Sequence, residues 1–364
     1  MNQISALLTD HTVDGHQAAL VLQLNAALRA LNPADSPHQW HAELTARELD
    51  ILPLPGGGNT LLRWQALATM ASHDLSLAKL YEGHTDALAI LAELGANADA
   101  HTAPPQAVWG VWAAESRRSK VTFERATDTA GSGQLRLFGT KTWCSGAAHV
   151  SHGLLTAWSV DGVGPQLVTV ALKQPGVTVE SASWRAVGMA HSASVDVTFD
   201  GAMARVVGQP GDYLKRPGFW QGGAGIAACW FGGALTLGRT LQKAVSQLPE
   251  AHRNPYQLAA LGKVDLSLHG TAGMLRSAAE WIDAHPLDNA QAVAIRVRVA
   301  AEECARRVLD EAGRALGAAA FCHDAQFARA AADLPVFIRQ SHGERDFAAL
   351  GEWAANESPA SWNL

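Results

Sequence analysis

Trp143 and Ser145 are the residues whose types and spacing point most directly to binding chemistry. They lie in Leu137-Phe138-Gly139-Thr140-Lys141-Thr142-Trp143-Cys144-Ser145-Gly146-Ala147, which alternates apolar and polar residues, turns at a glycine, alternates again and stops at small residues. That pattern describes a β-hairpin arm with an exposed tip. In an extended strand residues i and i+2 point to one face, so Trp143 and Ser145 would set a flat aromatic surface beside a hydroxyl. Such a pair suits a flat ligand with a polar edge, a flavin ring for example; it equally describes a core tryptophan beside a turn serine. Towards the C-terminus, His342 and Glu344 are of types that carry protons in catalysis, with a surface turn or helix start as the structural alternative. Arg117 and Arg118 are placed either to contact a phosphate or to stand solvated on a loop.

The elements that must position these residues follow from periodicity and punctuation. Residues 14–104 read as helical: Ala18, Leu20, Val21, Leu24 and Leu28 recur at helical spacing until Pro33. Pro53, Pro55 and Gly56-Gly57-Gly58 then break the chain, and Asn59 or Thr60 is placed to cap a helix through Leu61, Leu62, Trp64, Leu67 and Met70. Asp74 or Ser76 starts another, which runs to Gly95, giving four or five helices in all. From Gln106 to about Gly208 short alternating runs predict strands at Ala107–Trp112, Gln134–Phe138, Leu154–Trp158, Gln166–Ala171 and Ser194–Phe199. Turns are expected at Gly131-Ser132-Gly133, Asp161-Gly162 and Pro175-Gly176. Helices return at about Gly223–Leu248, Pro255–Ala284 and Leu287–Leu316, the last with a charged face of Arg296, Arg298, Glu302, Glu303, Arg306 and Arg307 read as solvated. The expected organisation is a helical domain over 1–105, a small β-sandwich or barrel over 106–215 and an antiparallel helical bundle over 216–364: an α+β multi-domain chain.

Composition narrows the function classes. The chain has 364 residues, 48% hydrophobic and 17% charged, with a formal net charge of −6. With a pI near 6.2 and no basic run, nothing points to nucleic acid or polyphosphate. The four cysteines, at 144, 229, 304 and 322, show no zinc-type spacing, so no metal site is expected and free thiols in a reducing cytoplasm fit best. Residues 1–13 lack the pattern of a signal peptide, and no apolar run is long enough to span a bilayer.

The order of modules, with the motifs inside it, resembles the acyl-CoA dehydrogenase family. Four patches carry the likeness: Gly56–Gly95 with His73-Asp74-Leu75-Ser76-Leu77-Ala78 and His84; Gly139–Ala147; Val187-Gly188-Met189-Ala190-His191-Ser192-Ala193-Ser194-Val195-Asp196-Val197-Thr198-Phe199; and Asp333 through Gln340. The resemblance implies FAD bound between the β-domain and the bundle, with Trp143 packed on the isoalloxazine and Ser145 bonding near flavin N5; Cys144 and Trp112 join them as expected cofactor-binding residues. It also implies a homodimer or homotetramer and a small-molecule substrate, an acyl-CoA for a dehydrogenase. Departures are specific. Glu115 is followed by Ser116-Arg117-Arg118-Ser119 instead of glycines, His252-Arg253-Asn254-Pro255-Tyr256-Gln257 replaces an Arg and Phe-Gly pair, and Gly317-Ala318-Ala319-Ala320 replaces a Gly-rich turn near the adenine. The family's catalytic glutamate falls on Ser341, or on Gln340 with a one-residue shift, and the first bundle helix carries no acid through Leu248. His342 and Glu344 are therefore the candidate catalytic residues. The expected function is an FAD-dependent oxidoreductase acting on the CH–CH group of an acyl thioester. The alternatives are a flavin-dependent monooxygenase of the same fold, which uses reduced flavin and oxygen and needs no glutamate, and a non-catalytic homologue.

Overall fold

In the computed structural model, residues 15–94, 104, 106–115, 120–125, 134–159, 164–356 and 362 are described. Among the described residues four helices come first: α1 (Gly15–Ala30), α2 (Pro37–Ala46), α3 (Thr60–His73) and α4 (Leu75–Glu93). Ser36 and Gln39 form a reciprocal capping box at the start of α2. Asp74 caps α4 as its position predicts, its carboxylate accepting from Leu77 N at 2.8 Å. The cap of α3 comes from elsewhere. Asn59 makes no side-chain cap bond; Asp283, at the far end of a later helix, accepts from Gly58 N, Thr60 N and Thr60 Oγ1 at 3.0, 2.9 and 2.6 Å. A local cap rule could not foresee a carboxylate more than 200 residues away.

Seven strands follow among the described residues: β1 (Trp109–Trp112), β2 (Lys120–Arg125), β3 (Gln134–Cys144), β4 (His152–Ser159), β5 (Pro165–Ala171), β6 (Val177–Glu180) and β7 (Val195–Val207). Strand pairing runs β4–β2–β3–β7–β5 and returns from β5 to β4, closing a small barrel, with β1 on the far side of β4 and β6 on β7. Its core is Trp112, Val121, Leu135, Leu137, Leu155, Val168, Val197 and Phe199. The hairpin expectation needs correction: the chain does not turn at Gly139. Strand β3 runs straight through it with φ +104°, and a Cβ there would stand 2.4 Å from Lys120 O. Glycine is needed for that close approach, not for a turn. Strands β2 and β6 were not foreseen, although Lys120–Arg125 and Val177–Glu180 both alternate polar and apolar residues.

The remaining helices are α5 (Asp212–Lys215), α6 (Gly218–Gly223), α7 (Ile226–Ser246), α8 (Pro255–Ala284), α9 (Gln291–Leu316), α10 (Ala318–His323), α11 (Ala325–Phe337) and α12 (Glu344–Asn356). The first and last helical groups share one core, from Leu24, Trp64 and Met70 to Trp230, Leu237, Ile282 and Val308. The glycines of α7 permit this: a Cβ on Gly232 would meet Ala68 O at 2.4 Å. The barrel is thus gripped by a helical body made from both ends of the chain. The turns expected at 131–133 and 161–162, Gly95, and residues 116–119 with Arg117 and Arg118 lie outside the described residues. Among the described residues no helix is long and apolar enough to cross a membrane.

Candidate functional site

The end of β3 is strained and exposed. Trp143 has φ +62°, a left-handed conformation that costs an indole-bearing residue about 1–2 kcal/mol, and its side chain is 58% exposed. The strand ends at Cys144, and Ser145 N donates to Trp143 O at 3.0 Å in the following turn. The two side chains are therefore not set by strand alternation. A register shift between Lys141 and Cys144 against β7 breaks the extended run. Trp143 stands edge-on to Trp184, ring centroids 5.9 Å apart. Cys144 and Trp112 do not face outward with it. Cys144 is fully buried, and burial pushes its thiol well above the ordinary range. Trp112 fills the barrel beside Gly110 and Gly153, where a Cβ would come within 2.8 and 2.4 Å of the indole, and its Nε1 donates to Ser145 O at 3.2 Å. Both support the tip from behind, because the strand register turns them inward.

A hydroxyl chain runs inward from Ser145. Its Oγ lies 2.8 Å from Ser194 Oγ, which lies 3.0 Å from Ser192 Oγ, which donates to Met189 O at 2.9 Å. Met189 N in turn donates to the buried Asp333 carboxylate at 2.5 Å, tying this loop to α11; Gly188 meets the same helix at Ala332 O. Burial raises the Asp333 carboxyl above its usual range, opposed by the Met189 hydrogen bond. The fourth sequence patch thus reaches the third through Asp333.

Histidines pack behind the same turns. His38 on α2 stacks on His149 with centroids 3.6 Å apart, and His41 meets His84 at 5.2 Å. His84 accepts from Trp109 N through Nδ1 at 3.1 Å, so its Nε2 carries the hydrogen given to Asp50 at 2.7 Å. Burial lowers His41 to about 3 and His38 to about 4, with the neighbouring histidines adding to the effect. Nε2 of the buried His41 has no hydrogen-bond partner. Among the described residues no group of three or more His, Cys, Asp or Glu is arranged to hold a metal.

Two further constellations were missed from the sequence. Lys141 is fully buried, with Nζ 2.9 Å from both Glu115 and Thr156 Oγ1; burial lowers its pKa against the pull of Glu115. A lysine two residues after Gly139, on the inward register, was the available signal. Along α4, Lys79 pairs with Glu82 at 2.7 Å. Asp86 lies one turn on, 4.0 Å from the buried Arg63, its carboxyl raised first by burial and then by Glu82. This charged stripe faces α3 and the start of α7.

The predicted catalytic residues lie at the N-terminal end of α12. Glu344 is exposed at the start of α12, the helix-start alternative. His342 is 55% exposed; its ring Nδ1 and backbone N lie 3.3 Å from the two carboxylate oxygens of the buried Asp346. Asp346, four residues on, is the orienting partner that sequence reading overlooked. Arg298 is not on a solvated face: its guanidinium donates to Gly223 O at 3.3 Å and Gln340 O at 3.0 Å and lies 5.7 Å from the Trp230 ring. The segment on which the family glutamate falls is thus held by Arg298 and carries only Gln340 and Ser341.

No family model matches the sequence, and no curated protein matches it. Solved structures match over nearly the whole chain. Glutaryl-CoA dehydrogenase from Mycobacterium smegmatis superposes with TM-score 0.81 at 14% identity, covering 97% of this chain and 98% of that one. TdsC from Paenibacillus sp. A11-2, solved with FMN and indole, gives 0.78 at 19% identity over 93% and 96%. Methanesulfinate monooxygenase MsuC from Pseudomonas fluorescens gives 0.75 at 19% identity over 96% and 98%. The resemblance read from the sequence holds at the level of fold: this is an acyl-CoA dehydrogenase-like architecture.

Proposed function

We propose that this protein is a flavin-dependent monooxygenase that takes up reduced flavin and acts on a small molecule. The observation that carries this reading is the segment 338–342. Arg298 fixes its backbone at the place where the acyl-CoA dehydrogenase glutamate would stand, yet no carboxylate side chain is present there. Glu344 points to solvent, which leaves α-proton removal without its base. Among proteins of similar fold, TdsC was solved with FMN and MsuC is a methanesulfinate monooxygenase.

The tip fits a flavin on its own terms. An exposed indole held at a strained φ, beside a hydroxyl whose inner side is already hydrogen-bonded, is a platform of the kind a planar ligand with a polar edge needs. Trp143 would stack on the ring and Ser145 would meet its edge. When bound, a reduced flavin supplies the electrons for activating dioxygen. His342, oriented by Asp346 through Nδ1, would hold a proton at Nε2. In the region matched to the family's adenine and pyrophosphate contacts the Gly-rich turn is replaced by Gly317-Ala318-Ala319-Ala320, and Gln257 donates to Ala315 O, which supports FMN over FAD. The expected homo-oligomer belongs to this proposal too; Tyr256 and Leu266, 85% and 72% exposed on α8, support it.

The test supplies FMN, reduced anaerobically, to the purified protein and then admits oxygen. Protein-dependent oxygen consumption with a changed product yield supports the monooxygenase. Bleaching of protein-bound oxidised flavin by an acyl-CoA would instead establish a dehydrogenase.

A further inference from the structure

The hydrogens of the Ser145–Ser194–Ser192 chain can be counted. Each hydroxyl has one hydrogen to give. The Ser192–Met189 contact of 2.9 Å ends on a carbonyl, which only accepts, so Ser192 donates there. Its hydrogen is then spent, and the 3.0 Å contact with Ser194 requires Ser194 to donate. The 2.8 Å contact with Ser145 in turn requires Ser145 to donate inward. These directions are assigned by satisfying every contact at once. Ser145 is left facing outward with lone pairs and no hydrogen. The reverse order needs Ser192 to abandon Met189 O, which would keep only Ser192 N at 3.0 Å and Trp184 Nε1 at 3.2 Å. That forfeits one net hydrogen bond, about fivefold in an equilibrium.

We propose that Ser192 and Ser194 polarise Ser145 into a hydrogen-bond acceptor, so that the site prefers a ligand edge bearing N–H over one bearing a bare ring nitrogen. The inference rests on the flavin reading: the edge concerned is N5, which carries hydrogen in reduced flavin and none in oxidised flavin. Ser192 and Ser194 are positioning residues, acting through Ser145. The chain is built into the fold, since Ser192 is buried and its loop is anchored by Asp333.

The experiment measures dissociation constants of the full chain for oxidised FMN and for FMN reduced under anaerobic conditions. The wild type binds the reduced form more tightly. Ser194→Ala frees the Ser145 hydrogen to turn outward, and the preference falls about fivefold, mainly through tighter oxidised binding. Ser194→Thr keeps the hydroxyl and the wild-type ratio. Ser192→Ala, which removes the inner end of the chain, gives the same direction as Ser194→Ala and serves if that variant is poorly folded. A ratio unchanged in both alanine variants overturns the proposal while leaving flavin binding intact. Absence of binding by the wild type in either redox form overturns the flavin reading and this proposal with it.

Discussion

His41 gives a quantitative handle on the junction behind the tip. It is buried, Nε2 has no partner, and its pKa is lowered to about 3 by burial and by His84 and His38. In the unfolded chain a histidine titrates near 6.5. Between those values the unfolded state binds more protons than the folded state, so stability rises with pH there and is lost as pH falls below 6.5. At pH 5 the unfolded imidazole is protonated and the folded one is not. The loss attributable to His41 is then about 1.5 pH units at 1.36 kcal/mol each, or about 2 kcal/mol. The groups facing it, His84 with Asp50, His38 and Tyr81, include no acid free to pair with a charged His41, because Asp50 already accepts from His84. Urea unfolding of wild type and His41→Leu at pH 7.5 and 5.0, followed by tryptophan fluorescence, measures the effect. The drop in stability on acidification should be about 2 kcal/mol smaller in the variant. An identical drop in both proteins would refute the assignment of the acid sensitivity to this residue.

Three further outcomes follow from the geometry. Asp333→Ala should lower stability by about 2 kcal/mol, because it strands the Met189 N–H at the loop it anchors; thermal denaturation checks this, with Asp333→Asn milder. In the barrel, Glu115→Ala should destabilise more than Lys141→Met, since the first leaves a buried ammonium without its carboxylate and the second leaves a carboxylate 39% exposed to water; equal melting temperatures would contradict this. Light scattering on the eluting protein should give a dimer or tetramer, and Leu266→Glu on α8 should shift it towards monomer if that exposed face is the contact.

Much of the architecture was legible because periodicity is local. Pro53, Pro55 and Gly56–Gly58 separate segments of helical period, and α8 was read from Pro255 to Ala284 as it stands. What escaped depends on distant partners. Asp283 caps α3 from across the fold, Lys141 is inward because of a register that two pairing strands impose, and Arg298 turns from the solvated face because Gly223 and Gln340 offer carbonyls. The candidate pair Trp143 and Ser145 was argued from a geometry the structure does not have. Strand alternation does not align them; a strained residue and a turn do. Cys144, adjacent to Trp143 in sequence, and Trp112, on a different strand, are both buried and pack behind the tip.

The central claim, that the Trp143–Ser145 tip holds a flavin, is tested most directly by FMN binding to Trp143→Ala. The indole is largely exposed, so its removal should change the melting temperature little and relieve backbone strain only in part. The account predicts a melting temperature within a few degrees of wild type and FMN affinity about five- to tenfold weaker, one stacked aromatic contact being worth about 1–1.5 kcal/mol. Equal FMN affinity in the two proteins would contradict it.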